Sequence, residues 1–256
     1  MSAFVDSTVE QLLALQVRLY ACRARLVEAT DDEALHDLRV TLRRMRSLLR
    51  PLRGLPTVDT LEQAAAALGR LTGPLRDREV LQAQLRQLGA GAPADAMVRE
   101  LAPRRAEVAL TRELEDLLAL LDAWPQRWRQ AAANAELDHL PRRIQRRLQR
   151  QQQRLALALR DPAHDRHRLR LLIKRVRYAA EAYPRESGLS RRALAHLKHA
   201  QGALGDWHDN LQWLALAETE SALAPYRAVW QAAMQAAEQQ ADDSLLVLRV
   251  DFVLAD

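Results

Sequence analysis

The sequence is poor in cysteine, aromatic residues and long apolar runs, and each shortage excludes a class of structure. Cys22 is the only cysteine in 256 residues, which excludes an intrachain disulfide and a cysteine-based metal cluster. Aromatic residues make up 4%, so the core must be mainly aliphatic. No apolar run approaches the roughly 18 residues of a membrane-spanning helix, and the N-terminus lacks the basic region of a secretory signal. We therefore expect a cytoplasmic protein.

Glycine and proline are also scarce, with 8 and 10 residues, whereas strong helix formers dominate. This composition predicts an all-α fold. Apolar spacing and helix-terminating residues predict helices at about 7–29, 30–53, 57–71, 75–88 and 95–122, and then at about 141–160, 162–183, 190–203, 205–222 and 225–241. The β-branched stretch 244–254 permits no assignment.

Lysine is nearly absent, because only Lys174 and Lys198 accompany 36 arginines. Codon usage in a GC-rich genome is one explanation. Phosphate recognition is another, since guanidinium groups bind phosphate oxygens in a bidentate manner. The positions of the arginines, not their number, distinguish the two explanations.

Charge is segregated along the chain. Residues 142–177 contain 12 Arg and one Lys against two Asp, a net charge of +11. Residues 205–243 contain seven acidic residues against one Arg, a net charge of −6. The positive charge is therefore concentrated in particular helices.

A repeated motif is the strongest signal in the sequence. Residues 36–46 and 167–177 both read H-x-x-R-x-x-x-[RK]-R-x-R, at an offset of 131. A second pair, Gly73–Asp77 and Gly205–Asp209, follows at an offset of 132. We interpret these matches as an internal duplication that forms two pseudo-symmetric helical bundles, 1–125 and 135–243, followed by a C-terminal tail, 244–256.

Each motif places its cationic residues on one helix face, because positions i, i+3, i+7 and i+10 align along a helix. An apolar stripe lies one position earlier, so the cations flank the core and the solvent pole of the first copy is a mixture (Asp37, Thr41, Arg44, Ser47). The two basic stripes are His36, Arg39, Arg43, Arg46 and Arg50, and His167, Arg170, Lys174 and Arg177.

Stacked cations of one sign repel each other, so something must neutralise them. A bound anion is one candidate; salt bridges to acids such as Glu62, Asp77, Glu79 or Asp209 are the other. A further stripe on the preceding helix either faces the same ligand or is simply solvated. It consists of Arg143, Arg147, Arg150 and Arg154.

The doubled motif, with L-T-G-P-L-R-D and L-G-D-W-H-D after its two copies, resembles the conserved histidine α-helical domain (CHAD) family over roughly residues 5–240. The resemblance implies two helical bundles with a basic groove or pore at their junction, binding of inorganic polyphosphate, and association with polyphosphate granules. It implies a binding set of His36, Arg39, Arg43, Arg46, His167, Arg170, Lys174 and Arg177, joined by Arg44, Arg175 and Lys198.

The two motif histidines have two possible roles. As titrating groups with an ordinary pKa of about 6.5, they would gain protons beside a polyanion, and binding would tighten from pH 8 to 6. As neutral rings, they would be structural partners of Asp77 or Asp209. The two roles are compatible.

We predict a non-enzymatic protein without cofactor or metal, whose ligand is polyphosphate and whose partners include polyphosphate-metabolising enzymes. One alternative is a metal-dependent phosphohydrolase, because His36-Asp37, His164-Asp165 and His208-Asp209 are His-Asp pairs. Another is weak nucleic-acid binding, in which tryptophans would stack on bases. On amphipathic helices, however, the five tryptophans are more simply explained as core residues.

Overall fold

The computed structural model describes residues 2–161, 163 and 165–252. The chain divides into two compact units, Met1–Leu140 and Pro141–Asp256. All regular secondary structure in the described residues is helical, as the composition predicts. None of the described helices is long and apolar enough to cross a membrane.

The first unit is built on six helices. They are α1 (Ser2–Val27), α2 (Ala34–Leu49), α3 (Pro56–Leu71), α4 (Gly73–Gln87), α5 (Gly91–Val108) and α6 (Arg112–Ala133), with a 3₁₀ turn at Arg50–Leu52. Helix α2 packs against both α1 and α3, α6 packs against α1 and α3, and α4 packs against α5. Helix α2, which carries the first motif, is thus held from two sides.

The packing of α2 follows its apolar stripe. The predicted stripe residues are all buried: Leu35, Leu38, Leu42, Met45 and Leu49. Thr41, which the sequence places at the solvent pole, is buried instead, and its Oγ1 donates to the Asp37 carbonyl at 2.8 Å. The two-sided packing of α2 explains this difference, because a second neighbouring helix covers part of the expected pole.

The second unit contains α7 (Leu140–Arg160), α8 (Arg166–Ala182), the short α9 (Pro184–Ser187), α10 (Arg191–Thr219) and α11 (Arg227–Asp251), with a 3₁₀ segment at Ser221–Tyr226. Four of these helices share one core. It includes Leu155 and Leu159 of α7, Leu169, Ile173 and Val176 of α8, Leu197 and Leu204 of α10, and Leu245 and Leu248 of α11. The predicted apolar stripe of the second motif is therefore also buried.

Several helix boundaries differ from those predicted. The predicted helix at 95–122 is two helices, because the chain turns at Ala109–Thr111 and α6 then continues through Pro125. The predicted helices at 190–203 and 205–222 are one, α10, which runs through Gly202 and Gly205. Residues 244–251 belong to α11, and residues 253–256 lie outside the described part of the chain.

Two residue pairs with the spacing of a capping box, Ser7 with Glu10 and Thr30 with Glu33, form none. Helix α1 begins before Ser7, whose Oγ accepts a hydrogen bond from Gln11 within the helix. At the start of α2, Asp31 accepts the backbone N–H of Glu33, and Glu33 makes no side-chain cap. Nearby competing partners thus replace the local pairing that the sequence suggests.

Four of the five tryptophans are core residues. Trp124, Trp128, Trp213 and Trp230 are buried, and Trp207 is half-buried with its Nε1 donating to Glu238. Trp124 and Trp128 stack with their ring centroids 4.8 Å apart. The core interpretation is therefore confirmed for four of the five.

Candidate functional site

The basic face of α2 combines exposed and half-buried cations. Arg43 of this face is exposed near the middle of the helix, as is the neighbouring Arg44 at the solvent pole, whereas the other basic residues of the face are half-buried. The half-buried group is His36, Arg39, Arg46 and Arg50. Of these, Arg39, Arg46 and Arg50 donate hydrogen bonds to other residues of the first unit.

Arg39 ties α2 to the end of α3. Its Nη1 donates to the Gly69 carbonyl at 2.9 Å and to Thr72 Oγ1 at 3.0 Å. Thr72 is fully buried and follows the last residue of α3. A guanidinium at a helix C-terminus satisfies carbonyl groups that have no partner inside the helix. Arg39 is therefore a structural residue whatever else it binds.

The C-terminal part of the face surrounds a buried carboxylate. Glu62 of α3 is 3% exposed and accepts hydrogen bonds from Arg46 at 3.1 Å, Arg50 at 3.2 Å and Arg53. Burial alone would raise the pKa of Glu62, but the hydrogen bonds and charges of these arginines lower it overall. For Arg46 and Arg50, the salt-bridge explanation therefore describes the contacts in this structure.

His36 lies at the other end of the face, beside an arginine that the sequence reasoning missed. Burial lowers the pKa of His36, and the charge of Arg76 lowers it further. Arg76 also donates to Glu79 at 3.0 Å, and Arg105 lies 3.7 Å from the same carboxylate. Arg76 belongs to the second repeated element, Gly73–Asp77, and that repetition was the signal that could have identified it.

In the second unit, α8 presents the matching face. His167 and Arg175 are exposed, whereas Arg170, Lys174 and Arg177 are half-buried. Helix α8 begins at Arg166 because the Asp165 side chain caps it, accepting the backbone N–H of His167 at 2.8 Å. This cap fixes the position of His167, the first residue of the motif, in the first turn of α8.

Arg177 is held by its neighbours, as Arg46 is in the first unit. It donates to Gln201 at 2.8 Å and to Glu181 at 2.7 Å, and its guanidinium lies 4.3 Å from the ring centre of Tyr178. Lys198 lies on α10, the helix that carries Gln201, and it is exposed. The end of the α8 face near Arg177 is therefore structural as well.

His208 of α10 is a second residue that the sequence reasoning left out of the binding set. Its ring centroid lies 5.3 Å from that of His167, and its Nδ1 is buried without a hydrogen bond to the described residues. Burial, followed by the charges of Arg170, His167 and Lys174, lowers the pKa of His208 to about 4. The free protein therefore holds this ring neutral at physiological pH.

The third predicted stripe lies on α7. Arg143 and Arg147 are half-buried, and Arg150 and Arg154 are exposed, while Ile144, Leu148 and Leu155 of the same helix are buried. The stripe therefore lies on the solvent side of an amphipathic helix.

Some candidate cations have no acidic partner among the residues that the structure describes. These are Arg44, Arg150, Arg154, Arg175 and Lys198, and all of them are exposed. Within the same part of the chain, no group of three or more His, Cys, Asp or Glu side chains is arranged to hold a metal ion. His164 of the second His-Asp pair lies outside the described residues.

Comparisons with protein families and with solved structures both point to the same domain. The family model described as the CHAD domain matches residues 11–218. The crystal structure of the CHAD domain from the plant Ricinus communis aligns with a TM-score of 0.70 and 24% identity, covering 98% of this chain and 92% of that one. Comparison with curated proteins gives no match. The structural likeness shows a shared fold.

Proposed function

The chain belongs to the CHAD domain family, and from that premise we propose that it binds inorganic polyphosphate through the basic faces of α2 and α8. One observation carries the proposal: each unit has a helix on which exposed basic side chains accompany half-buried ones. In the first unit the exposed residues of this kind are Arg43 and Arg44, and in the second they are His167 and Arg175.

The chemistry of the faces suits a linear phosphate polymer. Residues one helical turn apart are separated by about 5.4 Å along the axis, so successive cations can contact different phosphate groups. Arginine can bind two oxygens of one phosphate at once. A polymer with a regular charge per unit matches this repeated arrangement better than a single small anion does.

The predicted binding residues differ in their exposure and in the hydrogen bonds that they make within the fold. The side chains that hold the fold are Arg39, Arg46, Arg50 and Arg177. The exposed side chains Arg43, Arg44, Arg175 and Lys198 are proposed to carry most of the binding, and the exposed arginines of α7, Arg150 and Arg154, extend it. Arg147, Arg170 and Lys174 are proposed as half-buried supports of the same surfaces.

The proposal is for binding without catalysis. It extends to association with polyphosphate granules in the cytoplasm and to recruitment of separate polyphosphate-metabolising enzymes. Nucleic acid is expected to compete weakly, because its phosphates provide the same charge but the tryptophans that could stack on bases are mostly buried.

The test compares two variants with the same number of removed charges. The site variant is Arg43→Gln/Arg44→Gln/Arg175→Gln/Lys198→Gln. The control variant is Arg99→Gln/Arg129→Gln/Arg185→Gln/Arg191→Gln, at exposed positions outside the proposed faces. Each variant removes four positive charges from a net charge of +5. Polyphosphate affinity is measured at physiological salt, after circular dichroism has verified folding.

We expect a loss of at least about 100-fold in the site variant, equivalent to about 0.7 kcal/mol for each contact removed. The control variant should retain affinity within a few-fold. Equal affinity of the two variants would refute the assignment to these faces, and failure of the wild type to bind would refute the function. RNA added at equal phosphate concentration should displace little polyphosphate.

A further inference from the structure

His208 faces the basic end of α8 from a neighbouring helix. Its ring lies 5.3 Å from that of His167, and the charges of Arg170 and Lys174 act on it. Trp207 packs beside it with ring centroids 6.3 Å apart. Two imidazoles and two permanent cations therefore meet at one place in the second unit.

The first unit has an arginine where the second has this histidine. Arg76 and His208 are the fourth residues of the two repeated elements, at an offset of 132. Each interacts electrostatically with the first histidine of its motif. Arg76 lowers the pKa of His36, and His167 lowers the pKa of His208. One unit thus has a permanent positive charge at this position, and the other has a group whose charge depends on pH.

We propose that His208 is a phosphate-binding residue of the second unit and that binding there is coupled to proton uptake by His208 beside His167. This inference rests on the proposed function, because it concerns the same polyphosphate ligand. It assigns this proton uptake to the second unit.

The physical basis is a reversal of the local potential. In the free protein, burial and the positive charges of Arg170 and Lys174 oppose a third charge on His208. Phosphate oxygens bound to those cations neutralise them and favour the protonated ring. A protonated imidazole can donate from both nitrogens, whereas the neutral ring has a single N–H to offer a phosphate oxygen.

Other charged groups around the ring are already engaged. On α11, Glu238 accepts the indole N–H of Trp207 and lies 3.6 Å from Arg166. Next to His208 on its own helix, Asp209 has interactions of its own. The ligand would therefore meet His208 together with His167, whose ring centroid lies 5.3 Å away.

The size of the effect follows from the pKa of the ring. If phosphate restores that pKa from about 4 to its ordinary value of 6.5, the Kd of the wild type falls about fourfold from pH 8 to 6. At pH 6, roughly 0.8 proton is then taken up per site.

The experiment is calorimetric titration with polyphosphate at pH 6 in two buffers of different ionisation enthalpy. The difference between the two heats gives the number of protons taken up. The variants are His208→Gln and His208→Arg, which copies the first unit, and the control is His139→Asn at an exposed position. Asparagine is chosen because His139 has a positive φ of 62°.

The wild type and the His139→Asn control should take up the same number of protons. His208→Gln should take up about 0.8 proton less and bind about fourfold more weakly at pH 6 than the wild type. His208→Arg should bind well at pH 8, and its affinity should lack the pH dependence that His208 gives the wild type. Unchanged proton uptake in both variants would overturn the inference while leaving the proposed function intact, whereas absence of wild-type binding would refute the function itself.

Discussion

At the scale of single residues, Glu62 is the acid on which part of the basic face depends. Its nearly buried carboxylate faces three arginines that are 26%, 35% and 53% exposed. Glu62→Gln removes the countercharge and leaves these cations to repel one another. We expect the free energy of unfolding to fall by about 2 kcal/mol, less than for a fully buried pair because the arginines reach solvent. Urea unfolding measures the change.

The control for this substitution is Glu10→Gln, at an exposed position of α1. It removes the same charge and should change the free energy of unfolding by less than about 0.5 kcal/mol. Equal effects of the two variants would show that net charge, and not the arginine cluster, is responsible.

Glu62 also determines a pH dependence. Its pKa in the folded protein is lower than its ordinary value of 4.5, so the unfolded chain takes up its proton first as pH falls. The stabilisation is therefore complete above pH 4.5 and is lost progressively below it. Between pH 6 and 3, the wild type should lose more stability than Glu62→Gln, in thermal unfolding at constant ionic strength. Parallel losses would contradict the lowered pKa.

The types of residue in the site were predictable, but their partners were not. Helical spacing was enough to place Arg39, Arg43 and Arg46 on one face, because it depends only on local geometry. Glu62 could be named only as one of several possible acids, because the packing of α3 against α2 decides which acid reaches the face. His208 was missed because its partner, His167, is 41 positions away and spacing reveals nothing about such a pair.

At the scale of helices, the presence of a helix was easier to predict than the residues at which it begins and ends. The apolar stripes of α2 and α8 were correct because burial follows the helical period. Gly202 and Gly205 suggested a break that does not occur, since α10 packs against both α8 and α11. Tertiary packing here outweighs the modest cost of glycine inside a helix.

That cost is measurable. An added Cβ at Gly202 or Gly205 meets no atom within 4 Å, so Gly202→Ala and Gly205→Ala should each stabilise the protein by about 0.5–1 kcal/mol. Gly188 has equally open surroundings but a φ of +63°, so Gly188→Ala should destabilise it by about 1–2 kcal/mol. Thermal unfolding gives all three values. Destabilisation by either α10 substitution would indicate that the helix is interrupted there.

At the scale of the whole molecule, the net charge of +5 conceals the property that matters for binding. Residues 142–177 carry a net +11 and residues 205–243 a net −6, so these two segments alone account for the net charge of the chain. A polyanion responds to the cations within a Debye length of about 8 Å, not to the sum over the chain. Two variants with equal net charge can therefore bind very differently.

Salt dependence tests this argument directly. Each phosphate that a cation neutralises contributes about −0.7 to the slope of log K against log salt for a flexible single-stranded polyanion, by analogy with nucleic acid. Removing Arg43, Arg44, Arg175 and Lys198 should make the slope less negative by about 3, if each contacts one phosphate. The control with substitutions at Arg99, Arg129, Arg185 and Arg191 should keep the wild-type slope, although its net charge is the same. If the two slopes changed equally, the chain would attract polyphosphate through its total charge, and the faces of α2 and α8 would have no special part in binding.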